Sequence, residues 1–292
     1  MIKNGIVGDW RADDREFLVS FHLPNAEVKS ETLKIQNPFS SDGRVELDEE
    51  SHTYMLDGIV VPLSVTSLIH RFARPFNPRE AIASMRVETR QGYAEKGMDT
   101  DEEILLAWAR TGEVQRKRGT LLHFQIEQYL NGCTIESPCS PEFEQFKQLL
   151  RDTTTDQTPF RTELSIYSRS LNVAGQIDAL FKQADGTFVV WDWKRCKYLH
   201  YDGRSQMKEP FDHLPDVNYF HYALQLNVYR RILQEDYGIP VNSMFLGVLH
   251  PCRMRPLCVR VPDMEEEMQL LFDACCQEKS NGAVSVEVEG SR

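Results

Sequence analysis

Residues 171–194, LNVAGQIDALFKQADGTFVVWDWK, decide the fold of this chain. Two largely apolar runs, Leu171–Phe181 and Thr187–Lys194, lie on either side of Ala184-Asp185-Gly186, which has the composition of a tight turn. This pattern predicts a β-hairpin. Arg161–Tyr167, a little before it, has the composition of a further strand. The sequence therefore predicts three consecutive strands.

The hairpin carries charged side chains in an otherwise apolar setting. Side chains alternate across a strand, so Asp192 and Lys194 project from one face. A turn near Asp185 brings Asp178 roughly opposite Asp192 and Trp193. Two carboxylates this close repel each other unless one is protonated or a cation lies between them. Their oxygens suit Mg²⁺ or Mn²⁺. A structural ion pair between Asp192 and Lys194 is the alternative.

Two further polar pairs lie on predicted helices. His123 and Glu127 are four residues apart and share one helix face, and so do Gln225 and Tyr229. Each pair taken alone also fits a purely structural role. His123 would then be a hydrogen-bonded histidine of the core, and Tyr229 would be an ordinary tyrosine at a packing interface.

Helices and strands alternate along the rest of the chain. Arg44–Val61 predicts a β-meander with a turn at Asp57-Gly58. Helical periodicity follows in four stretches, Ser64–Phe72, 78–90, 101–117 and 119–131. After the three strands come a helix at Asp216–Tyr237, strands at Met244–Leu249 and Leu257–Val261, and a helix from Asp263 to about Lys279. The order predicts an α/β fold.

The polar motifs occur in one order: GTxxH from Gly119, then Glu163, GxxD ending at Asp178, DxK from Asp192 and QxxxY from Gln225. This ordered set resembles the RecB-like exonuclease branch of the PD-(D/E)xK nuclease superfamily. The resemblance spans 119–249. It implies a restriction-endonuclease-like αβββαβ core with a mixed central sheet and an added, mostly helical N-terminal region.

A segment nearer the N-terminus narrows the resemblance. Val61–Ile69, VPLSVTSLI, is similar to the PSVT-type segment of stand-alone members such as the mitochondrial genome maintenance exonuclease and its phage relatives, with Leu63 as a departure. We therefore expect four regions: an N-terminal segment at 1–43, a β-meander plus helical region at 44–118, the nuclease core at 119–261, and an acidic C-terminal helix and tail at 262–292.

The resemblance also implies roles for individual residues. His123, Asp178 and Asp192 would bind the metal, with the backbone carbonyl of Trp193 as a further ligand. Lys194 would be the catalytic lysine. Glu163 would be a carboxylate that either supports the metal ligands without binding the metal itself or binds a second metal. Gln225 and Tyr229 would position the DNA strand or brace the site.

The same resemblance sets the expected cofactors, namely Mg²⁺ or Mn²⁺. Some family variants hold an iron–sulfur cluster with one cysteine before the core and three after it. No cysteine precedes His123 here, so we expect no iron–sulfur cluster. The chain has no GxxxxGK[ST] loop, so we expect no ATP and no motor activity.

Charge is distributed unevenly. The net charge of −11 disfavours coating of nucleic acid by bulk electrostatics. Residues 161–209, however, hold eight basic and six acidic side chains, whereas 262–292 hold two basic and eight acidic ones. The candidate phosphate contacts are Arg195, Lys197, Arg116 and Arg118, the last two of which also fit a solvated helix end.

Aromatic side chains accompany this charge. Tyr198, His200 and Tyr201 follow the third strand and would either stack on unpaired bases or pack internally. The connection 198–215 is long enough to form a mobile wall of a DNA channel.

These features favour a metal-dependent deoxyribonuclease, an exonuclease or flap nuclease preferring single-stranded ends over blunt duplex. Because the chain has no motor, a helicase or another replication or recombination protein would be its partner. Two alternatives stay open: an endonuclease on the same fold, and a catalytically silent DNA-binding or scaffold subunit.

The sequence also bears on location. No stretch approaches the roughly 18 apolar residues of a membrane helix, and the N-terminus resembles neither a signal peptide nor an Arg-rich presequence. Seven scattered cysteines form neither a disulfide framework nor a CxxC pair. We expect a protein of a reducing intracellular compartment, cytoplasm or nucleus, of cellular, viral or phage origin, with neither secretion nor a membrane partner.

Overall fold

The computed structural model describes residues 17–18, 21, 31–48, 51–135 and 140–289, with side chains up to 277. It divides into two units. The first comprises 1–29 and 75–124, and the second comprises 30–74 and 125–292. The division falls inside one continuous helix, directly after Phe124.

A five-stranded mixed sheet organises the second unit. Its strands are β4 (Gln157–Ser168), β5 (Val173–Gln183), β6 (Phe188–Arg195), β7 (Val241–Leu249) and β8 (Leu257–Val261), in that spatial order. The pair β6–β7 is parallel and its neighbours are antiparallel. The three consecutive strands are confirmed, and so is the α/β fold with its αβββαβ order.

Eight helices occur among the residues that the structure describes: α1 (Thr32–Gln36), α2 (Val65–Phe72), α3 (Pro78–Ala83), α4 (Val87–Ala94), α5 (Asp101–Leu130), α6 (Pro141–Thr153), α7 (Asn218–Tyr237) and α8 (Glu265–Glu289). None of the described helices has the length and apolar character needed to cross a bilayer.

Three predicted helical stretches were wrong in their boundaries. The stretch 78–90 is two helices, because Arg86 has an extended backbone (φ −64°, ψ 146°) that interrupts the helical conformation between them. The stretches 101–117 and 119–131 form one helix, α5. Gly119 costs about 1 kcal/mol relative to alanine in a helix but does not break it.

Two more differences concern a helix that was not predicted and a helix that is longer than predicted. Helix α6 was not anticipated, although Ser140 caps it by accepting from the backbone N–H of Phe143, and Pro141 occupies its first position. Helix α8 continues to Glu289 rather than ending near Lys279.

The first unit has its own small core, formed by Ile82, Tyr93 and Ile104.

The β-meander is confirmed as β1 (Val45–Asp48), β2 (Thr53–Leu56) and β3 (Ile59–Val60). Asp57 and Gly58 form its turn, both at positive φ. Ser64 caps α2 by accepting from the backbone N–H of Ser67 at 3.0 Å. Beside this cap, the backbone N–H of Ala174 donates to the carbonyl of Leu63 at 3.1 Å, which fixes the meander and α2 against β5.

The connection between β6 and α7 is anchored rather than loose. Met207, Phe211 and Leu214 are buried in the main core. The backbone N–H of Lys208 donates to the carbonyl of Phe72 at 2.7 Å. The connection 198–215 was expected to form a mobile wall. That expectation fails for its second half, from Met207 onward, because buried apolar side chains pack this part against α2.

Helix α7 crosses β5 at very close range. A Cβ atom on Gly175 would lie 2.6 Å from Cε1 of Tyr229 and 3.1 Å from Cγ2 of Val65. Only glycine leaves room for the tyrosine ring at this point. The glycine of GxxD and the tyrosine of QxxxY are thus two halves of one packing contact.

We predict that Gly175→Ala lowers the free energy of unfolding by about 1–3 kcal/mol, the usual cost of overpacking. Urea denaturation followed by circular dichroism measures this. The cost should fall in a Tyr229→Ala background, because the clashing ring is gone. Gly112→Ala is the comparison variant: nothing lies within 4 Å of its added Cβ, and because it is inside α5 it should raise the free energy of unfolding by up to about 1 kcal/mol. Equal stability of Gly175→Ala and the wild type would show that this contact does not constrain the fold.

Candidate active site

Three carboxylates lie in a row across neighbouring strands. The β4–β5 pairs Thr162–Ala179 and Leu164–Ile177 place Glu163 across from Asp178. The β5–β6 ladder reaches Ala179–Trp191, one position before Asp178 and Asp192. Residues directly opposite each other share a sheet face. The row therefore presents Glu163, Asp178 and Asp192 on one face.

The backbone constrains two of these residues, Asp178 through a hydrogen bond and Glu163 through its own conformation. Asp178 accepts a hydrogen bond from the backbone N–H of Trp193 through its Oδ2 atom at 2.7 Å. Glu163 has φ 45°, a left-handed conformation that is rare for a non-glycine residue inside a strand. Such strain is often kept where a side chain has a functional orientation.

Helix α5 brings an imidazole to this row. One potential ligand atom from each of His123, Glu163 and Asp178 lies within 4.8 Å of the others. Atoms bound to one Mg²⁺ at about 2.1 Å are at most about 4.2 Å apart. The donor set, one nitrogen and two carboxylates, therefore fits a divalent cation of the Mg²⁺ or Mn²⁺ type with a small contraction.

The predicted ligands are distributed differently from the expectation. Glu163 lies in the three-residue group, whereas Asp192 is not a member of it. Asp192 instead contacts the ammonium of Lys194 through both carboxylate oxygens, at 2.9 and 2.8 Å. Asp192 is buried at 2% exposure, so the ammonium provides the compensating charge that a buried carboxylate needs.

Lys194 is held from several sides. Its Nζ atom lies 3.4 Å from Oε1 of Gln225 and 5.0 Å from the ring centroid of Tyr222. Burial would lower the pKa of this ammonium, but the charges of Asp192 and Asp178 outweigh burial and hold its pKa above the usual range. Lys194 is therefore cationic at neutral pH.

The QxxxY pair on α7 belongs to the same network. The Gln225 amide donates to the hydroxyl of Tyr229 at 2.9 Å and to Oγ1 of Thr66 at 2.8 Å. Thr66 comes from the VPLSVTSLI segment, so that segment reaches the site through its threonine. Gln225 links α2 and α7 to the ammonium of Lys194.

Two tyrosines lie near the carboxylates, Tyr54 half-buried and Tyr229 buried. Burial first, and then the charges of Glu163 and Asp178, raise the pKa of the Tyr54 hydroxyl above its usual range. Burial is also the main cause of the raised pKa of Tyr229, with Tyr54, Asp192 and Asp178 adding to it. Both phenols therefore stay neutral at physiological pH.

The four predicted phosphate contacts have unequal positions. Arg195 donates to Glu142 at 2.6 Å in a buried ion pair, with side-chain exposures of 5% and 4%. That pair ties β6 to α6, and Arg195 is not displayed for a ligand. Lys197 is exposed, with its ammonium 5.3 Å from the ring centroid of Tyr198. Arg116 and Arg118 lie on α5 before His123, Arg116 exposed and Arg118 half-buried.

Sequence reasoning missed Tyr54, Thr66 and Tyr222 as members of the site. Tyr222 lies three residues before Gln225, a spacing that puts both on one helix face and that could have identified it. Thr66 lies within the segment that the resemblance had marked. No local pattern distinguishes Tyr54, which reaches the carboxylates only through the packing of the meander.

Comparisons with known proteins place the chain only loosely. No protein-family model matches it, and no curated protein matches it. Two solved structures are similar. A candidate exonuclease from Eubacterium rectale has 15% identity and a TM-score of 0.30, over 53% of this chain and 59% of that one. SSO0001 has 14% identity and a TM-score of 0.27, over 72% of this chain and 84% of that one. The chain therefore spans less than two thirds of the exonuclease, and likeness at this level does not extend to function.

Proposed function

We propose that this protein is a metal-dependent nuclease that hydrolyses phosphodiester bonds in DNA. The observation that carries the proposal is the convergence of His123, Glu163 and Asp178 within 4.8 Å, next to the Asp192–Lys194 ion pair. A cluster of cation ligands beside a fixed ammonium suits a reaction in which negative charge develops on a phosphate.

In this proposal, His123, Glu163 and Asp178 hold a divalent ion, with Asp192 and the backbone carbonyl of Trp193 as further ligands. When bound, the ion lowers the pKa of water and offsets phosphate charge. Lys194 contributes a cation that orients the attacking water and stabilises charge on the phosphate oxygens. Gln225 keeps Lys194 in place, and Tyr54 and Tyr229 exclude water from the inner side of the site.

The proposed substrate is a strand with unpaired bases at a free end. Lys197, Tyr198, His200 and Tyr201 are exposed directly after β6, with Tyr198 at 54% and Tyr201 at 49%. Exposed aromatic rings beside cations hold single strands by stacking, without regard to sequence. The carbonyl of Tyr198 accepts from the Asn218 amide at 2.9 Å, which anchors this strip to the start of α7.

We predict that Asp192→Asn and Lys194→Ala each lower the cleavage rate at least about 100-fold, because each removes a charge from the reacting centre. The measurement is digestion of an end-labelled single-stranded oligonucleotide with Mn²⁺ or Mg²⁺. EDTA should stop the wild-type reaction, and Ca²⁺ should support little turnover.

The matched controls are Lys182→Ala, an exposed lysine of β5 in the same hairpin, and Asp152→Asn, an exposed carboxylate of α6. Both should cleave at the wild-type rate. Circular dichroism and thermal unfolding confirm that each variant is folded. Wild-type turnover by folded Lys194→Ala, or full activity in EDTA, would mean that the active site lies elsewhere.

We also predict that a single-stranded oligonucleotide is cut faster than its blunt duplex, and that activity falls as salt rises. Tyr198→Ala combined with Tyr201→Ala should raise KM for the single strand, because two stacking surfaces are lost. A closed single-stranded circle should resist cleavage if a free end must enter. Equal rates on all three substrates would instead support the endonuclease alternative. Absence of cleavage on every substrate, with DNA binding retained, would support a silent binding subunit.

A further inference from the structure

Tyr222 stands beside the site without belonging to any of the motifs that define it. It lies on α7 one turn before Gln225, and its ring is half-buried. The Lys194 ammonium lies 5.0 Å from the centroid of that ring. This separation is within the range at which an ammonium is attracted to the electron-rich face of an aromatic ring.

Two other side chains contact the same ammonium. Asp192 contacts Nζ through both oxygens, at 2.9 and 2.8 Å, and Gln225 contacts it at 3.4 Å. These groups pull the lysine toward the sheet and toward α7. The Lys194 side chain is 20% exposed, so a flexible four-carbon chain would otherwise have room to turn toward water.

The ring itself packs against the main hydrophobic core. Asn218, one turn before Tyr222 on α7, binds the backbone of the strip that follows β6. The Asn218 amide donates to the carbonyl of Tyr198 at 2.9 Å, and its Oδ1 accepts from the backbone N–H of His200 at 2.9 Å. The core packing and this anchored helix start limit the movement of the ring beside Lys194.

We propose that Tyr222 is a positioning residue whose ring face holds the Lys194 ammonium against Asp192 and toward the reacting phosphate. This inference rests on the proposed nuclease function. The ring acts through Lys194 and does not touch the substrate, so its loss lowers the rate of the chemical step rather than the affinity for DNA.

The test compares Tyr222→Leu, which keeps apolar bulk but removes the ring, with Tyr222→Phe, which keeps the ring. Under single-turnover conditions with Mn²⁺ and a single-stranded oligonucleotide, Tyr222→Leu should lower the maximal rate about tenfold, with little change in the enzyme concentration that gives half of that rate. Tyr222→Phe should retain most of the rate. In a Lys194→Ala background, Tyr222→Leu should cause no further loss.

Phe272→Leu is the matched control, because Phe272 lies under the Arg231 guanidinium at 4.0 Å in a separate cation–ring pair. It should not change the rate. Wild-type rates for Tyr222→Leu would overturn the role of Tyr222. So would a tenfold loss that persists in the Lys194→Ala background, since the ring would then act independently of Lys194.

A second measurement does not depend on cleavage. In protein with ¹³C-labelled lysine, the Lys194 Cε protons should be shifted upfield by the ring current, with the signal assigned by its absence in Lys194→Arg. The shift should persist in Tyr222→Phe and vanish in Tyr222→Leu. An unshifted signal in the wild type would refute the placement of the ring. A shifted signal in a wild-type protein that cleaves no DNA would count against the nuclease function instead.

Discussion

Repulsion among carboxylates is the constraint on which the rest of this site depends. Glu163, Asp178 and Asp192 lie on three adjacent strands, so the hydrogen-bond register of the sheet forces them together. Like charges at this spacing are costly away from water. The protein offsets the cost locally at two points: Lys194 neutralises Asp192, and the backbone N–H of Trp193 supports Asp178. The group formed with His123 brings one nitrogen and two carboxylates together, a donor set that suits a divalent cation.

The elements around the sheet then hold these groups in position. Gly175 lets α7 approach closely enough for Tyr229 to lie over β5. This approach brings Gln225 and Tyr222 to the ammonium of Lys194. The α2 helix contributes Thr66, which fixes the amide of Gln225. The packing contact between Gly175 and Tyr229 therefore also sets the distance between α7 and the sheet, and the hydrogen bonds of Gln225 and Lys194 depend on that distance.

Local signals in the sequence were sufficient for the sheet and for the charged hairpin. Strand alternation and the turn at Gly186 gave the register, and from it followed the pairing of Asp192 with Lys194 and the approach of Asp178. Long-range packing was not accessible in the same way. The positions of Tyr54 and Thr66 depend on how the meander and α2 lie against β5. The burial of Arg195 depends on Glu142 of α6, a helix whose capping signal at Ser140 had not been used. The left-handed backbone at Glu163 had no local signal, since glycine is the usual residue there.

The most direct test of the central claim is the position of a bound cation. Crystals grown with MnCl₂ should give an anomalous difference peak bounded by the side chains of His123, Glu163 and Asp178, because Mn²⁺ scatters anomalously far more strongly than any atom of the protein itself. Crystals of Asp178→Asn grown in the same way should show a weaker peak or none. A strong peak elsewhere with this group unoccupied, or an undiminished peak in Asp178→Asn, would contradict the assignment of this cluster as the metal centre.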